Sequence, residues 1–381
     1  MRVAITGDWH IGSYGSHIDP QTGRNARMAD ISRTCWEMMC NARIAGCTAL
    51  LHLGDMYRSP VGRPTPTEEM LAVEALRNSP GDSIILVGNH DGARDRSESN
   101  ATDVLALLGM TRVYDVPDID QRAELQIAYI PYPSKSRFLA RNPDVKATDV
   151  NAEMGRGLAA IAQHLAEQID PGRPSILIGH VAIDRAETGE GSLMSDKDIC
   201  LRLADIPDVF TWRVFGHVHK PQQLDERTWI VGSPERISFN EEGDKKRWLL
   251  LDTDTGVMES VPTAARAYYT LRVSIKNGAP YWELDLKAAR DAVCRAVIER
   301  PENVTVDESA IRRELEAAGC HSIAAITHEV QRAARSRSEA ISAANTEADV
   351  LAAYVSTRPD LMAVLDEMQA EQERILQEVI R

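Results

Sequence analysis

Five strand-like apolar runs in this chain each end in glycine and then in a residue able to ligate a metal. They are Ile5-Thr6-Gly7-Asp8-Trp9-His10, Leu53-Gly54-Asp55, Val87-Gly88-Asn89-His90-Asp91, Ile178-Gly179-His180 and Phe215-Gly216-His217-Val218-His219. Buried strands run into loops, and loops at strand ends are where binding and catalytic side chains gather. Glycine lets the main chain turn sharply and come close to a bound ion. Asp8, His10, Asp55, Asn89, His180, His217 and His219 together offer hard oxygen and borderline nitrogen donors. That mixture suits divalent Mn, Fe or Zn and not a thiolate site.

The spacing assigns roles. Asp8 and His10 stand two apart on one loop, so both can reach one ion. Asp55 leaves a different strand end, and a carboxylate between two cations offsets their repulsion, so it is the natural bridge. Asn89 is a neutral oxygen donor for the second ion, and His180 joins it. His217 and His219, again two apart, can reach different ions. Two such ions roughly 3.5–4 Å apart can clamp a phosphate, lower the pKa of a water between them and stabilise both attacking and leaving oxygens. The set reads as a two-metal phosphoesterase centre. His90 follows a ligand without needing to be one. It is the candidate general acid or transition-state stabiliser, since imidazole titrates near neutral pH. Asp91 is the candidate to hold the His90 ring by a hydrogen bond.

A single Gly-Asp or Gly-His is a common turn. Five such junctions, all after strand-like runs and including D-x-H, G-N-H-D and G-H-x-H, are far more specific. Other histidines read blandly. His52 lies inside the run Leu50-Leu51-His52-Leu53 and is expected in the core or behind the ligands. His17, His164, His321 and His328 have no motif around them and read as surface or structural residues. Trp9, between two ligands, either packs its loop or stacks on a base.

The elements that must carry these residues follow from the apolar pattern. Strands are expected at 2–6, 48–53, 83–87, 126–130, 175–178, 211–215, 228–231 and 247–252, and helices near 26–44, 66–77, 101–108 and 150–168. This alternation over residues 1–262 marks a layered α/β domain. Stretches 58–66 and 186–195 carry Gly, Pro and Ser and read as active-site loops. A second unit, 263–345, is expected to be a small α+β domain. It has a hairpin about Asn277-Gly278, helices at about 287–299 and 308–318, and a strand at 322–331. The tail, 346–381, is expected to be helical. Thr346 and Asp349 resemble a capping box, and Arg358-Pro359 precedes a last helix. Its stripe of Leu361, Val364, Leu365, Met368, Ile375, Leu376, Val379 and Ile380 fits packing on its own domain as well as it fits a partner helix.

At 381 residues the chain is longer than one ordinary domain. A hydrophobic share of 43% and a charged share of 26% are those of a globular protein, with aliphatic cores because aromatics are only 5%. The net charge of -14 excludes a protein held on nucleic acid by global charge, but not a nuclease with a local basic strip. Lys135 and Arg137 near Tyr132, and Arg332, Arg335 and Arg337, are the candidate strips. The six cysteines form no C-x-x-C pair and read as free thiols of a reducing cytosol. The N-terminal run leads straight into a ligand loop and does not read as a signal peptide. No apolar run is long enough to span a membrane.

These motifs resemble the calcineurin-like metallophosphoesterase superfamily. Within it they are most similar to the SbcD-type DNA double-strand-break repair nucleases, the meiotic recombination nuclease branch. Asp8-Trp9-His10-Ile11-Gly12, Gly88-Asn89-His90-Asp91 and Gly216-His217-Val218-His219-Lys220-Pro221 carry the likeness. So does Gly232-Ser233-Pro234-Glu235-Arg236-Ile237-Ser238-Phe239, which is no metal motif and separates the branch from phosphatases in general. The resemblance implies a sandwich of two β-sheets flanked by helices, an α+β DNA-capping domain, and a helical tail gripping an SMC-like, SbcC-type ATPase. It implies that Asp8, His10, Asp55 and His219 hold one ion, that Asp55, Asn89, His180 and His217 hold the other, and that the ions are Mn. His90 would be the catalytic histidine. Activity would be Mn-dependent duplex exonuclease and single-strand endonuclease, in DNA repair or recombination in the cytoplasm. Dimerisation would use helices at about 66–77 and 99–108. One departure is visible: the branch's Gly-Asp-x-x-Asp is Gly54-Asp55-Met56-Tyr57-Arg58 here, which keeps the bridging carboxylate. The competing expectations are a phosphatase or cyclic-nucleotide phosphodiesterase on the same centre, and a non-catalytic DNA-end scaffold.

Overall fold

The computed structural model describes residues 1–15, 17–19, 23–58, 63–92, 99–188, 198–277, 279–302, 304–331, 347–356 and 358–379. Two six-stranded sheets dominate. In the first the order is Val257–Pro262, Arg247–Asp252, Arg2–Thr6, Ala49–His52, Asp82–Leu86, Arg112–Tyr114. In the second it is Gln222–Gln223, Thr228–Ile230, Trp212–Phe215, Ser175–Gly179, Gln126–Ile130, Asp118–Gln121. The central strands of both sheets pair in parallel; antiparallel strands close one edge of the first sheet and both edges of the second, while Arg112–Tyr114 ends the first sheet in parallel. Parallel neighbours point the same way, so their C-terminal ends, and the glycine junctions there, emerge together.

Side-chain alternation divides each strand between two cores. Ile5 and Leu51 face the layer between the sheets with Ile84, Ile127, Ile178, Val214 and Leu249. Ala4, Leu50 and Ile85 face outward onto helices Ala26–Ile44 and Pro66–Leu76. On the other sheet Ala128, Ile130 and Leu177 face helix Val150–Ala166. Thr65 caps the second helix with a reciprocal bond to Glu68, and Pro66 opens it, a start signal of the kind that satisfies orphan N–H groups. The described residues within 1–262 thus form a layered α/β sandwich, with all eight expected strands present to within a residue or two.

Two short edge strands, Arg112–Tyr114 and Asp118–Gln121, and the short helix Lys135–Arg141 were not legible in the pattern. The helix expected at 287–299 is mostly a strand. Leu286–Ala289 makes one helical turn, Asp291 turns left-handed with φ 57°, and Val293–Pro301 is extended. Val293, Val297 and Ile298 are β-branched, and that stiffness outweighs the helical spacing.

The chain divides into two compact units. The larger comprises Met1–Leu271, Leu284–Ala296 and Glu308–Ile326, and the smaller Arg272–Glu283, Val297–Asp307 and Thr327–Arg381. Within the smaller, Ser274 pairs with Tyr281 across the expected hairpin. Its helices Glu347–Ser356 and Leu365–Val379 are joined by a 3-10 turn at Pro359–Val364. The proposed cap at Thr346 and the basic residues Arg332, Arg335 and Arg337 lie outside the described residues. The six cysteines form no disulfide with one another. No described helix is long and apolar enough to cross a membrane.

The inter-sheet layer sets a measurable expectation. Leu51 is fully buried there, so Leu51→Ala should cost about 2–5 kcal/mol in urea unfolding. Ile44→Ala, at a side chain 85% exposed, should change stability by no more than about 0.5 kcal/mol.

Candidate metal centre

The five glycine junctions meet at one place. Asp8 N–H donates to the Gly54 carbonyl at 2.9 Å and His10 N–H to the Asp55 carbonyl at 3.0 Å, which locks the first two loops together. Gly216 N–H reaches the Gly179 carbonyl at 2.9 Å and joins the last two. Asp8, His10, Asp55 and His217 all take positive φ, from 48° to 80°. Non-glycine residues adopt that region at a cost and persist there where surroundings over-determine them. Two glycines could be nothing else. A Cβ on Gly88 would lie 2.1 Å from Asp55 Oδ1, and one on Gly54 would lie 2.5 Å from His180 Nδ1.

All seven expected ligand residues converge. Asp8, His10, Asp55 and His180 are buried, and Asn89, His217 and His219 are partly so. Asp55 Oδ2 lies 3.5 Å from His10 Nε2 and 3.4 Å from His180 Nε2. Asn89 Oδ1 lies 3.0 Å from both His180 Nε2 and His217 Nδ1. His10 Nε2 and His219 Nε2 face each other at 3.0 Å. Three overlapping sets bring their donor atoms within 4.8 Å of one another: Asp8 with His10 and His219, His10 with Asp55 and His90, and Asp8 with Asp55 and His180. Acceptor atoms of carboxylates, an amide and imidazoles packed this closely fit hard divalent cations.

Electrostatics explain what holds the cluster. Burial alone would raise the Asp55 carboxyl, yet the charge and hydrogen bond of His180 hold it far below the usual carboxylate range. Burial disfavours the charged His180 ring, but Asp55 and then Asp8 lift it to about 9. Burial raises the Asp8 carboxyl, with His180 and His219 opposing. Burial and the His180 charge push His217 down to about 3, and burial holds His10 well below its ordinary value.

His90 is half-buried, its ring 4.8 Å from that of His10. Its N–H donates to Asp55 Oδ1 at 2.8 Å, and its Nδ1 lies 2.9 Å from the Arg58 carbonyl. The ring therefore leans on a main-chain carbonyl and not on Asp91. The Asp91 carboxylate instead accepts from the N–H groups of Met56, Tyr57 and Gly88 at 3.0–3.3 Å. Burial and the nearby Asp55 push its carboxyl up to about 7, and those three donors pull the other way. Asp91 ties the Asp55 loop to the Asn89 loop. Trp9 is fully buried, edge-on to His52 at 4.8 Å with its indole N–H on Thr6, so it packs the loop and presents no face to a base.

Sequence reasoning missed Glu241. Its Oε1 lies 3.1 Å from His219 Nδ1, and buried Lys246 sits 2.7 Å from its Oε2. Only the run of charges just after the Gly232–Phe239 stretch hinted at it. Arg137, named as a candidate for DNA contact, pairs with Asp115 at 3.2 Å. A cavity of about 290 Å³ opens beside Asn89, lined by Tyr132, Ser134 and Lys135 among others. The Tyr132 ring lies 5.8 Å from that of His217.

The behaviour of His52 can be checked directly. Burial, with His180 adding to it, pushes this ring down to about 3 from 6.5. The depressed folded value means that its contribution is fully present above pH 6.5 and is lost as pH falls. His52→Phe should therefore remove about 2–3 kcal/mol of acid destabilisation between pH 6.5 and pH 4.5 in metal-free protein. Parallel stability curves for the two proteins over that range would refute it.

The calcineurin-like phosphoesterase family model matches residues 1–221. Over 268 residues the chain is 22% identical to the SbcD subunit of nuclease SbcCD from Staphylococcus epidermidis, covering 67% of this chain and 66% of that one. Over 289 residues it is 25% identical to the protein of that name from Escherichia coli, covering 68% and 67%. The chain thus spans about two thirds of the length of these relatives. The crystal structure of a dimetal phosphatase from Danio rerio covers 68% of this chain and 96% of its own, at 9% identity and a TM-score of 0.42.

Proposed function

We propose that this chain, which belongs to the calcineurin-like phosphoesterase family and is a hydrolase of phosphoester bonds, is a Mn-dependent DNA nuclease working with a coiled-coil ATPase. The observation that carries the reading is the convergence of donors from five strand ends on one cluster. The relatives named as parts of a nuclease support the choice of substrate. Asp8, His10, Asp55 and His219 would hold one ion, and Asp55, Asn89, His180 and His217 the other. When bound, the two ions neutralise the charge of the phosphodiester and activate water for its attack.

The chain's own residues do the rest. Asp55 sits between both groups of nitrogen donors, its second oxygen fixed by His90 N–H. Since His90 Nδ1–H is engaged by the Arg58 carbonyl, a proton offered to the departing 3′ oxygen would leave from Nε2 of the doubly protonated ring, which returns to the neutral Nδ1–H tautomer. Asp91 acts at one remove, by keeping the two ligand loops in register. The cavity beside Asn89 gives a flanking nucleotide room, with the exposed Lys135 at its rim.

The wider assembly belongs to the same reading. Met70, Val104, Leu107 and Leu108 leave apolar surface exposed on the two helices proposed for dimerisation. In the smaller unit Leu351, Val364, Met368 and Ile375 line a cavity of about 700 Å³, which supports a tail that receives a partner helix. Segment 263–345 would cap the DNA and 346–381 would bind an SbcC-type ATPase, in the cytoplasm.

Linear duplex DNA should be degraded by the purified chain with Mn and much more slowly with Mg alone. His90→Asn should lower the rate on the order of 10²–10⁴-fold with metal content retained. Well-metallated protein that cleaves no form of DNA, even with the ATPase and ATP, or that hydrolyses small phosphomonoesters faster than DNA, would sink the reading. Lys135→Ala should weaken binding to all sequences alike and reduce the salt slope of DNA affinity by about one.

A further inference from the structure

We infer that Glu241, backed by Lys246, is a positioning residue for His219 and makes one of the two ion sites depend on the Gly232–Lys246 segment; the inference rests on the two-ion reading above. That segment holds the Gly232–Phe239 stretch, which supplies none of the seven expected ligands. It folds around His219 nonetheless. The His219 carbonyl accepts from Ser233 N–H at 3.1 Å and from Lys246 Nζ at 3.0 Å. Gly232 has φ 74°, and a Cβ there would lie 2.8 Å from that same carbonyl. The chain can pass this close only as glycine.

The ring is held as firmly as the main chain. Glu241 Oε1 lies 3.1 Å from His219 Nδ1. An ionised carboxylate has no hydrogen to give, so the ring donates from Nδ1. That fixes the tautomer and leaves the lone pair of Nε2 aimed at His10 Nε2, 3.0 Å away. The carboxylate is itself fully occupied. Ser238 reaches Oε1 at 3.4 Å, and Ile237 N–H and Lys246 Nζ reach Oε2 at 3.2 and 2.7 Å. Lys246 is buried and also donates to Ser233 Oγ at 2.9 Å and Asp244 Oδ2 at 3.1 Å. A buried carboxylate facing a ring would be costly alone, and the ammonium balances it.

The two ring systems are not equivalent. His180 rests its Nδ1 on the neutral Leu53 carbonyl at 2.6 Å, whereas His219 rests on a charged group. An anionic partner makes the opposite nitrogen a stronger donor and holds the ring in place. The ion taken by Asp8, His10 and His219 therefore depends on Glu241. The ion taken by Asn89, His180 and His217 does not.

Manganese binding to the full chain tests this, read by calorimetry, by metal content after desalting and by electron paramagnetic resonance. Wild type should take two ions with the spectrum of a coupled pair. Glu241→Leu should bind one ion as before and the second about 10–100-fold more weakly, with the spectrum of an isolated ion at limiting metal. Glu241→Gln, whose amide oxygen still accepts from Nδ1, should restore most of that affinity. Should Glu241→Leu fail to fold with Lys246 left unpaired, the triple variant Glu241→Leu, Lys246→Met, Asp244→Asn removes the buried charges together and should show the same loss. Two ions bound with wild-type affinity by either folded leucine variant would overturn the role of Glu241. Fewer than two ions bound by wild type would instead overturn the two-ion reading beneath it.

Discussion

Two carboxylates, Asp8 and Asp55, are buried at the meeting point of five strand ends, and their charge is the constraint on which the site is built. A buried carboxylate that is neither paired nor hydrogen-bonded is too costly to keep. Asp55 is answered by His180 and His10 at 3.4 and 3.5 Å and by the His90 N–H. Asp8 is answered by the His217 N–H, 3.1 Å from both of its oxygens. These contacts require loops from different strands to touch. That contact in turn demands Gly54 and Gly88, where a single methyl would collide with His180 or Asp55. The strained backbone at Asp8, His10, Asp55 and His217 follows from the same crowding. The sandwich supplies the rigidity that sustains it, with parallel strands delivering all the junctions to one end.

The fold was legible where its signals are local. Apolar runs ending in glycine located the strands, and the residue after the glycine located the ligands, because a buried parallel strand and a tight turn both leave their mark in adjacent residues. Signals failed where tertiary contact decides. The stretch 287–299 has helical spacing, but its β-branched residues are extended. Arg137 reads as a cation for DNA until Asp115, far from it in sequence, is placed beside it. Asp91 adjoins His90 in sequence and serves a different loop in space. Glu241 and Lys246 look like members of an ordinary charged run. Their burial and their bond to His219 depend on how the chain returns to the site, which adjacent residues do not record.

Arg58, where the resemblance leads to the expectation of a second aspartate, shows the same distinction between side chain and main chain. What position 58 gives to the site is its carbonyl, 2.9 Å from His90 Nδ1, and any residue has a carbonyl. The guanidinium lies over the Tyr14 ring at 4.1 Å. Its stem occupies space that a side chain at Gly12 would fill, since a Cβ there would lie 2.6 Å from Arg58 Cβ. Arginine is thus accommodated by neighbours that suit it, and the hold on His90 is indifferent to the exchange. The loop must keep its path, which Asp91 secures through the N–H groups of Met56 and Tyr57 just before it. The freedom at position 58 and the fixity of Asp91 are two sides of one arrangement. The carboxylate fixes the main chain, the main chain fixes the histidine, and the side chain at position 58 is left outside that sequence of contacts.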